Sequence, residues 1–241
     1  MIGGSVENYL LEKSRIVDPN KDERNYHFFY QICAGASPED RKALWITKAQ
    51  DFVYLRKGGC LEIATTDDKE DFATVNESFK TLGFTIAEVR SVYRVIAGIM
   101  YLGNLEFAST TPVTIKNTDC LNKAANLLGL TAKALQEGLC SRNFKASESR
   151  KSSYVIQLKP DEAMASRDSL AKAIYSSLFD WLIYRINKKI CLQNTSKEPL
   201  FIGLLDIFGF ESFQLNSLEQ LCINFANEAR KTRLTFLCLL D

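Results

Sequence analysis

The sequence is short of several features, and each shortage excludes a class of protein. It has one histidine, His27, which argues against a zinc site and is better explained as a core or helix-face residue. The 30 basic and 29 acidic side chains give a net charge of +1, so no basic field favours nucleic acid or an anionic membrane. No apolar run approaches the roughly 20 residues of a membrane-spanning helix. We therefore predict neither a nucleic-acid partner nor a direct membrane segment.

The cysteine pattern of a secreted or zinc-binding protein is also missing. The seven cysteines are odd in number and form no CxxC pair. The first residues, MIGGSVENYLLEK, contain neither the basic region nor the apolar core of a signal peptide. We therefore expect reduced thiols in the core of a cytoplasmic protein.

The apolar residues, 46% of the chain, suffice for a sizeable core, and their patterns predict a mixed α/β fold. Strands are predicted at residues 5–11, around Tyr154, Ile156 and Leu158, and at residues 200–205. Helical spacing predicts helices at residues 24–35, 91–103, 119–128 and 132–139, a long one from Pro160, and another from Asn216. A polar connection is predicted at residues 187–199, with a domain boundary at residues 194–199.

The stretch LLDIFGFESF, residues 204–213, leads an apolar run into two carboxylates and a glycine. A buried strand would bring Asp206 to its C-terminal end, where open α/β sheets bind ligands. The spacing of Asp206 and Gly209 suits a nucleoside-triphosphate switch, because the carboxylate can reach the magnesium shell and the glycine N–H can approach a phosphate. The alternative is a strand end with a capping aspartate and a turn glycine. A small switch GTPase shares this spacing, but the P-loop and base-reading motifs that it needs are not found.

The surrounding residues extend this motif into a long match with one family. DIFGFESF, followed by NSLEQLCINFANE, resembles the switch II segment and relay helix of the myosin motor head. Further segments are similar to that family in the same order: NYLLEKSRIV, ERNYHFFYQICAGAS, IAGIMYLGNLEF and SRDSLAKAIYSSLFDWLIYRIN. The resemblance covers residues 3–228. It implies a helix-rich α/β fold, an incomplete part of a P-loop NTPase-type motor domain with upper-cleft helices and strands of a central sheet.

The resemblance also implies Mg-ATP as the cofactor and assigns roles to individual residues. Asp206 would hold magnesium through a water, so no direct metal ligand is implied. Gly209 would donate its N–H to the γ-phosphate, and Glu211 would pair with an arginine to close the site. Asn216 and Glu219 would begin the relay helix. The chemistry implied is hydrolysis by positioning and charge stabilisation.

A second implied site lies between a short helix and the long one, at residues 141–159. This segment is similar to the family's upper actin-binding loop, and Arg142 falls at its basic position. Ser152 falls where some members carry an acidic or phosphorylatable residue, and Arg150 and Lys151 before it suit a basic-directed kinase. The alternative for Ser152 is a polar hairpin tip. The implied partner is the actin filament and the implied location is the cytoplasmic actin cytoskeleton, while light chains are not expected because no lever segment is found.

The chain also departs from the family pattern. The phosphate loop GESGAGKT is not found; residues 98–103 have GxxxxG spacing but lack the lysine and Ser/Thr, so we interpret them as structural. The switch I pattern NxxSSRFGK is not found either, which leaves Glu211 without its arginine, because Arg15 and Arg24 belong to other matched segments. From Ala229 onward the chain reads ARKTRLTFLCLLD and diverges from the pattern.

These departures lead to an expectation about organisation. We expect residues 1–196 to be an upper-cleft segment, residues 197–241 to hold the central-sheet strand, switch II and relay start, and the whole to be a fragment of a motor head. Residues 200–205 would then have an unpaired edge and exposed apolar faces. The chain as written is expected to lack ATPase activity, and the alternative function is a non-catalytic remnant or a weak actin- or partner-binding module.

Overall fold

The part of the chain that the structure describes contains ten α-helices, a short 3-10 helix at Ala49–Asp51 and one two-stranded sheet. The computed structural model describes residues 3–8, 10–110, 112–147, 150–191, 202–204, 210, 212, 216 and 218–238. The helices are α1 Ser14–Val17, α2 His27–Gly35, α3 Pro38–Leu44, α4 Val53–Arg56, α5 Asp68–Thr81, α6 Ile86–Gly103, α7 Thr118–Leu128, α8 Ala132–Cys140, α9 Pro160–Ile190 and α10 Leu218–Cys238. The strands are β1 Ser141–Ser147 and β2 Arg150–Gln157, which pair antiparallel. We refer to α1–α9 as the helical body.

Helix α6 is the centre of the core. It begins at Ile86 rather than at residue 91, because the Thr85 side chain accepts from the Glu88 N–H while Glu88 accepts from the Thr85 N–H. A Cβ on Gly98 would lie 2.7 Å from Leu128 Cδ2, and one on Gly103 would lie 2.6 Å from Tyr54 Cδ2. The two glycines of the GxxxxG pattern therefore allow α7 and Tyr54 to approach α6 closely, which agrees with a structural role.

Helix α2 begins at His27, later than the predicted residue 24, because Asn25 organises the chain before it. The Asn25 side chain accepts from the Tyr26 N–H at 2.8 Å and donates to the carbonyls of Ile16 and Tyr54 at 2.7 and 3.2 Å. This buried asparagine links three segments of the core. His27 itself is exposed on the first turn of α2, so it lies on a helix face.

Helix α9, with 31 residues, packs along α6, α1 and α8. It begins at Pro160 as predicted, with the Lys159 N–H donating to Glu162 at 2.8 Å. Its end differs from the prediction: the helix runs to Ile190, so the polar connection does not begin at Asn187. The reason is that the last turns keep tertiary partners, described below, that the polar sequence does not reveal.

The predicted strands are confirmed only in the hairpin. Strand β2 ends at Gln157, Ile156 is exposed, and Leu158 lies beyond the strand, partly buried against the core. The strand predicted at residues 5–11 is wrong, since residues 3–8 and 10–13 are irregular, and the Val6 backbone bonds to a side chain rather than to a strand. Residues 202–204, the described part of the strand predicted at 200–205, are also irregular.

The six cysteines whose side chains the structure describes are free, as expected, but only some of them are core residues. Cys33 and Cys140 are buried, and burial raises the pKa of Cys33 to about 12. The side chains of Cys60, Cys120 and Cys191 are partly exposed, and Cys222 is exposed. No helix within the described ranges is long and apolar enough to cross a membrane.

Candidate functional site

The residues predicted for the nucleotide site fall in a part of the chain that the structure describes only sparsely. Asp206, Gly209 and Glu211 lie outside the described residues. The described neighbours are exposed: Ile202 by 94%, Leu204 by 97% and Phe210 by 68%. Side chains with such exposure do not belong to a packed core.

The predicted relay residues lie at the start of α10. Asn216 precedes the helix, which is described from Leu218, so Asn216 is not the first helical residue as predicted. Asparagine favours the positions just before a helix over those inside it. Glu219 lies in the first turn. The expected apolar face is present, but Leu218, Leu221 and Phe225 are all exposed.

The predicted actin-facing segment is the β1–β2 hairpin. Arg142 is exposed near its base and pairs across the strands with Ile156, which is also exposed. Ser152 lies within β2, next to Ser153, which pairs with Lys145. Ser152 is therefore a strand residue near the turn and not part of the turn itself.

The hairpin is attached to the helical body at its base. The Leu158 N–H donates to the Cys140 carbonyl at 2.9 Å, and the Ser141 hydroxyl donates to the Glu137 carbonyl at 2.7 Å. Cys140 is buried at the end of α8. These bonds fix where the two strands leave α8 and enter α9, so Arg142 and Ile156 project from a defined point of the fold.

The end of α9 carries a second set of contacts that sequence reasoning missed. The Asn187 side chain accepts from the Val6 N–H at 2.8 Å and donates to the Val6 carbonyl at 2.8 Å. The Gly4 N–H donates to the Ile190 carbonyl at 3.1 Å, and the Asn8 amide donates to Asp180 at 3.2 Å. An asparagine in a polar stretch gives no sign of a partner 181 residues away.

Two residues before Asn187 on the same helix, Arg185 ties α9 to the start of α6. It donates to Glu88 and to the Gly83 carbonyl, both at 2.8 Å, and its guanidinium lies 5.0 Å from the centre of the Phe84 ring. The hydrogen bond from Arg185, followed by that from the Thr85 backbone, lowers the pKa of Glu88 to about 2. The carboxylate therefore stays charged throughout the neutral range.

The two arginines that precede α2 already have carboxylate partners. Arg15 pairs with Glu12 at 2.7 Å and with Glu23 at 2.8 Å, and Arg24 pairs with Asp68 at 2.6 Å. Arg24 is only 5% exposed and lies 3.8 Å from the centre of the Tyr30 ring. These pairs explain both arginines as structural residues.

Arg167 is another buried arginine with a structural environment. It donates to the Leu105 carbonyl at 3.1 Å and to Asp168 at 2.8 Å, and the Tyr54 hydroxyl donates to the same carboxylate at 2.5 Å. Burial raises the pKa of Tyr54 well above its ordinary value. The cluster joins α4, α9 and the end of α6.

Throughout the described residues, no group of three or more His, Cys, Asp and Glu side chains could hold a metal ion.

Comparison with known proteins identifies the family. The family model of the myosin head (motor domain) matches residues 1–237, which includes most of the segment expected to diverge from Ala229. Myosin-2B of Naumovozyma castellii is 41% identical over 231 residues, which cover 95% of this chain and 16% of that protein. Myosin IC heavy chain of Dictyostelium discoideum is 40% identical over 230 residues, or 94% of this chain and 19% of that protein. Unconventional myosin-Vb of Rattus norvegicus is 40% identical over 232 residues, which cover 95% of this chain and 12% of that protein.

The helix-rich fold is consistent with part of a motor domain. The chain belongs to the myosin head (motor domain) family, because the match spans nearly all of its length. It spans less than a fifth of the length of each of these three relatives.

Proposed function

We propose that these residues form the central part of an actin-based motor head that is driven by ATP hydrolysis. The observation that carries the proposal is the family match over residues 1–237, together with the DIFGFESF motif inside it. In this proposal residues 1–196 are the upper-cleft segment, and residues 197–241 contain switch II and the first part of the relay helix. The motor acts on the actin cytoskeleton.

The proposed chemistry places three residues around the terminal phosphate. Asp206 orients a water of the magnesium shell, the Gly209 N–H donates to the phosphate, and Glu211 pairs with an arginine from outside the 241 residues. A single indirect carboxylate suits Mg²⁺, which keeps several waters and binds largely through substrate phosphates. When bound, the ion neutralises charge that develops on the phosphate oxygens. The residues of this chain hold and orient groups rather than form covalent bonds.

Two further elements would pass the state of the nucleotide site outward. Helix α10, beginning near Asn216 and Glu219, is the proposed relay, and its exposed apolar face supports a role that requires other parts of the head. The β1–β2 hairpin is the proposed actin contact, with Arg142 as its basic residue and Ser152 as its modifiable one. Its fixed base at Cys140 and Leu158 supports a hairpin that presents Arg142 in a constant direction.

The test is the actin-activated ATPase of the complete motor head that contains these residues. Asp206→Ala and Glu211→Gln should each lower kcat at least about a hundredfold, since they remove groups that act in the transition state. Glu39→Gln, at an exposed position on α3, is the charge-matched control and should leave kcat unchanged. A head that turns over ATP equally well with Asp206→Ala would contradict the proposed role of the motif.

The actin contact is tested separately. Arg142→Glu should raise the actin concentration needed for half-maximal activation about tenfold, while the rate without actin stays the same. Arg90→Glu, at an exposed position on α6, is the matched control. A head that binds actin but hydrolyses no ATP would favour the alternative of a non-catalytic binding module.

A further inference from the structure

The segment formed by residues 3–8 is held against α9 almost entirely by hydrogen bonds. Every residue described from 3 to 8 is exposed, and Val6, the one large apolar residue among them, is 43% exposed. Burial of apolar surface therefore contributes little to its position. The contacts that remain are the two Asn187 bonds to Val6, the Gly4–Ile190 bond and the Asn8–Asp180 bond.

Asn187 is the central residue of this set because both of its polar atoms bond to one backbone residue. Its carbonyl accepts from the Val6 N–H and its NH₂ donates to the Val6 C=O, as a neighbouring strand would. Only asparagine and glutamine carry a carbonyl acceptor and an NH₂ donor side by side on one planar amide, and glutamine is one methylene longer. The amide thus fixes the position of residue 6 along the helix as well as its distance from it.

The end of α9 is also fixed to the helical body. Arg185, two residues before Asn187, donates to Glu88 and to the Gly83 carbonyl. Segment 3–8 also forms one wall of an apolar cavity of about 390 Å³, whose other walls include Val75, Phe79 and Leu182. Asn187 consequently connects segment 3–8 to a part of α9 whose place is set by α5 and α6.

We propose that Asn187 is a positioning residue that holds segment 3–8 and the last turn of α9 as one unit. The chain that leaves α9 leads to Asp206, so this unit sets the point from which the proposed nucleotide-site segment starts. The inference rests on the proposed function for its effect on catalysis. The attachment itself depends only on the contacts of residues 3–8 and 180–190.

The attachment is tested by hydrogen exchange in the 241-residue chain. Asn187→Leu removes both bonds without weakening the helix, and exchange of the bonded Gly4 and Val6 N–H groups should become about tenfold faster while exchange in α6 is unchanged. Asn187→Asp keeps only the acceptor and should give a smaller increase. Lys188→Leu, the exposed next residue, should leave the exchange of residues 3–8 unchanged. Equal exchange of this segment in Asn187→Leu and the native chain overturns the proposal.

The positioning role is tested in the complete motor head. Asn187→Leu should lower kcat about tenfold with the KM for ATP within about twofold, because it misplaces groups that act after binding. Lys188→Leu should change neither. If the native head turns over ATP normally and the Asn187→Leu variant has the same kcat, the positioning role alone is overturned. If the native head does not turn over ATP, the proposed function and the positioning role are both overturned. The hydrogen-exchange result does not depend on ATP turnover, so it still tests whether Asn187 holds residues 3–8.

Discussion

The helical body and the C-terminal region, residues 202–238, differ in how much of their apolar side chains is exposed to solvent. Ile99 and Leu102 of α6 are completely buried, whereas Ile202 and Leu204 are 94% and 97% exposed. In α10, Leu218, Leu221 and Phe225 are exposed as well. The same residue types are therefore buried at these positions of the body and exposed at these positions of the C-terminal region.

This difference indicates how the two regions acquire their structure. The body buries a core of apolar side chains and pairs several charges internally, with Arg24 on Asp68, Arg167 on Asp168 and Arg185 on Glu88. The C-terminal region carries the proposed nucleotide and relay motifs, and in the proposed function its exposed apolar residues contact other parts of the motor head.

The largest expected effect is on the free energy of unfolding, when an isoleucine is shortened in each of the two regions. Ile99→Ala should lower the free energy of unfolding by about 2–5 kcal/mol, because it removes a fully buried side chain and leaves a cavity. Ile202→Ala should change it by less than about 0.5 kcal/mol, because the side chain is already in water. Urea denaturation of both variants measures the contrast. Similar losses for the two variants would mean that Ile202 is packed and that the contrast is wrong.

The buried Arg24–Asp68 pair provides the second comparison. Arg24→Met alone should be destabilising by about 3 kcal/mol, since it leaves the Asp68 carboxylate largely buried without its partner. The double variant Arg24→Met, Asp68→Leu should recover most of this loss, because both charges are gone. Chemical denaturation of the two single variants and the double variant gives the coupling. Additive losses would show that the two side chains do not depend on each other.

The close approach of helices in the body predicts a smaller effect. Gly98→Ala should be destabilising by about 1–3 kcal/mol, because its Cβ would lie 2.7 Å from Leu128 Cδ2. Gly138→Ala in α8 is the matched control, as nothing lies within 4 Å of a Cβ there. That variant should be stabilising by up to about 1 kcal/mol through helix propensity. The midpoints of thermal unfolding distinguish the two, and a tolerated Gly98→Ala would contradict the packing.

The smallest effect concerns pH. The pKa of Glu88 is lowered to about 2 in the folded protein from an ordinary value of 4.5, so its ion pair with Arg185 stabilises the fold above pH 4.5. This contribution should be lost as the pH falls from 4.5 towards 2. Comparing the unfolding midpoints of the native chain and Glu88→Gln across this range tests it. A difference that stays constant down to pH 2 would exclude the charge as its source.

The sequence predicted the starts of α8 and α9 from local signals. Thr131 before α8 and Pro160 at the start of α9 mark boundaries that need no tertiary information. Helix α5 was missed because only Phe72 is buried along it, which leaves almost no apolar period, although Asp67 caps it by accepting from two backbone N–H groups. The contacts of Asn187 could not be predicted, since they depend on how residues 3–8 return to the far end of the chain.

In the candidate site, too, some features could be predicted from the sequence and others could not. The motif at Asp206, Gly209 and Glu211 is recognisable because its chemistry requires those residue types at a fixed spacing. The position of Arg142 followed from the family's loop, but its pairing with Ile156 depends on hairpin register, which a polar sequence specifies weakly. The sequence therefore identifies candidate chemical groups more readily than the contacts that position them.

The most direct test of the central claim is magnesium-dependent binding of a fluorescent ATP analogue to the 241-residue chain, after circular dichroism confirms that it is folded. We predict no tight binding by the 241-residue chain, because in the proposed function other parts of the motor head supply the phosphate loop and the arginine partner of Glu211. We predict tight binding by the complete motor head. Tight magnesium-dependent binding by the 241-residue chain, abolished in Asp206→Ala, would contradict the account and show that this segment contains a phosphate site of its own.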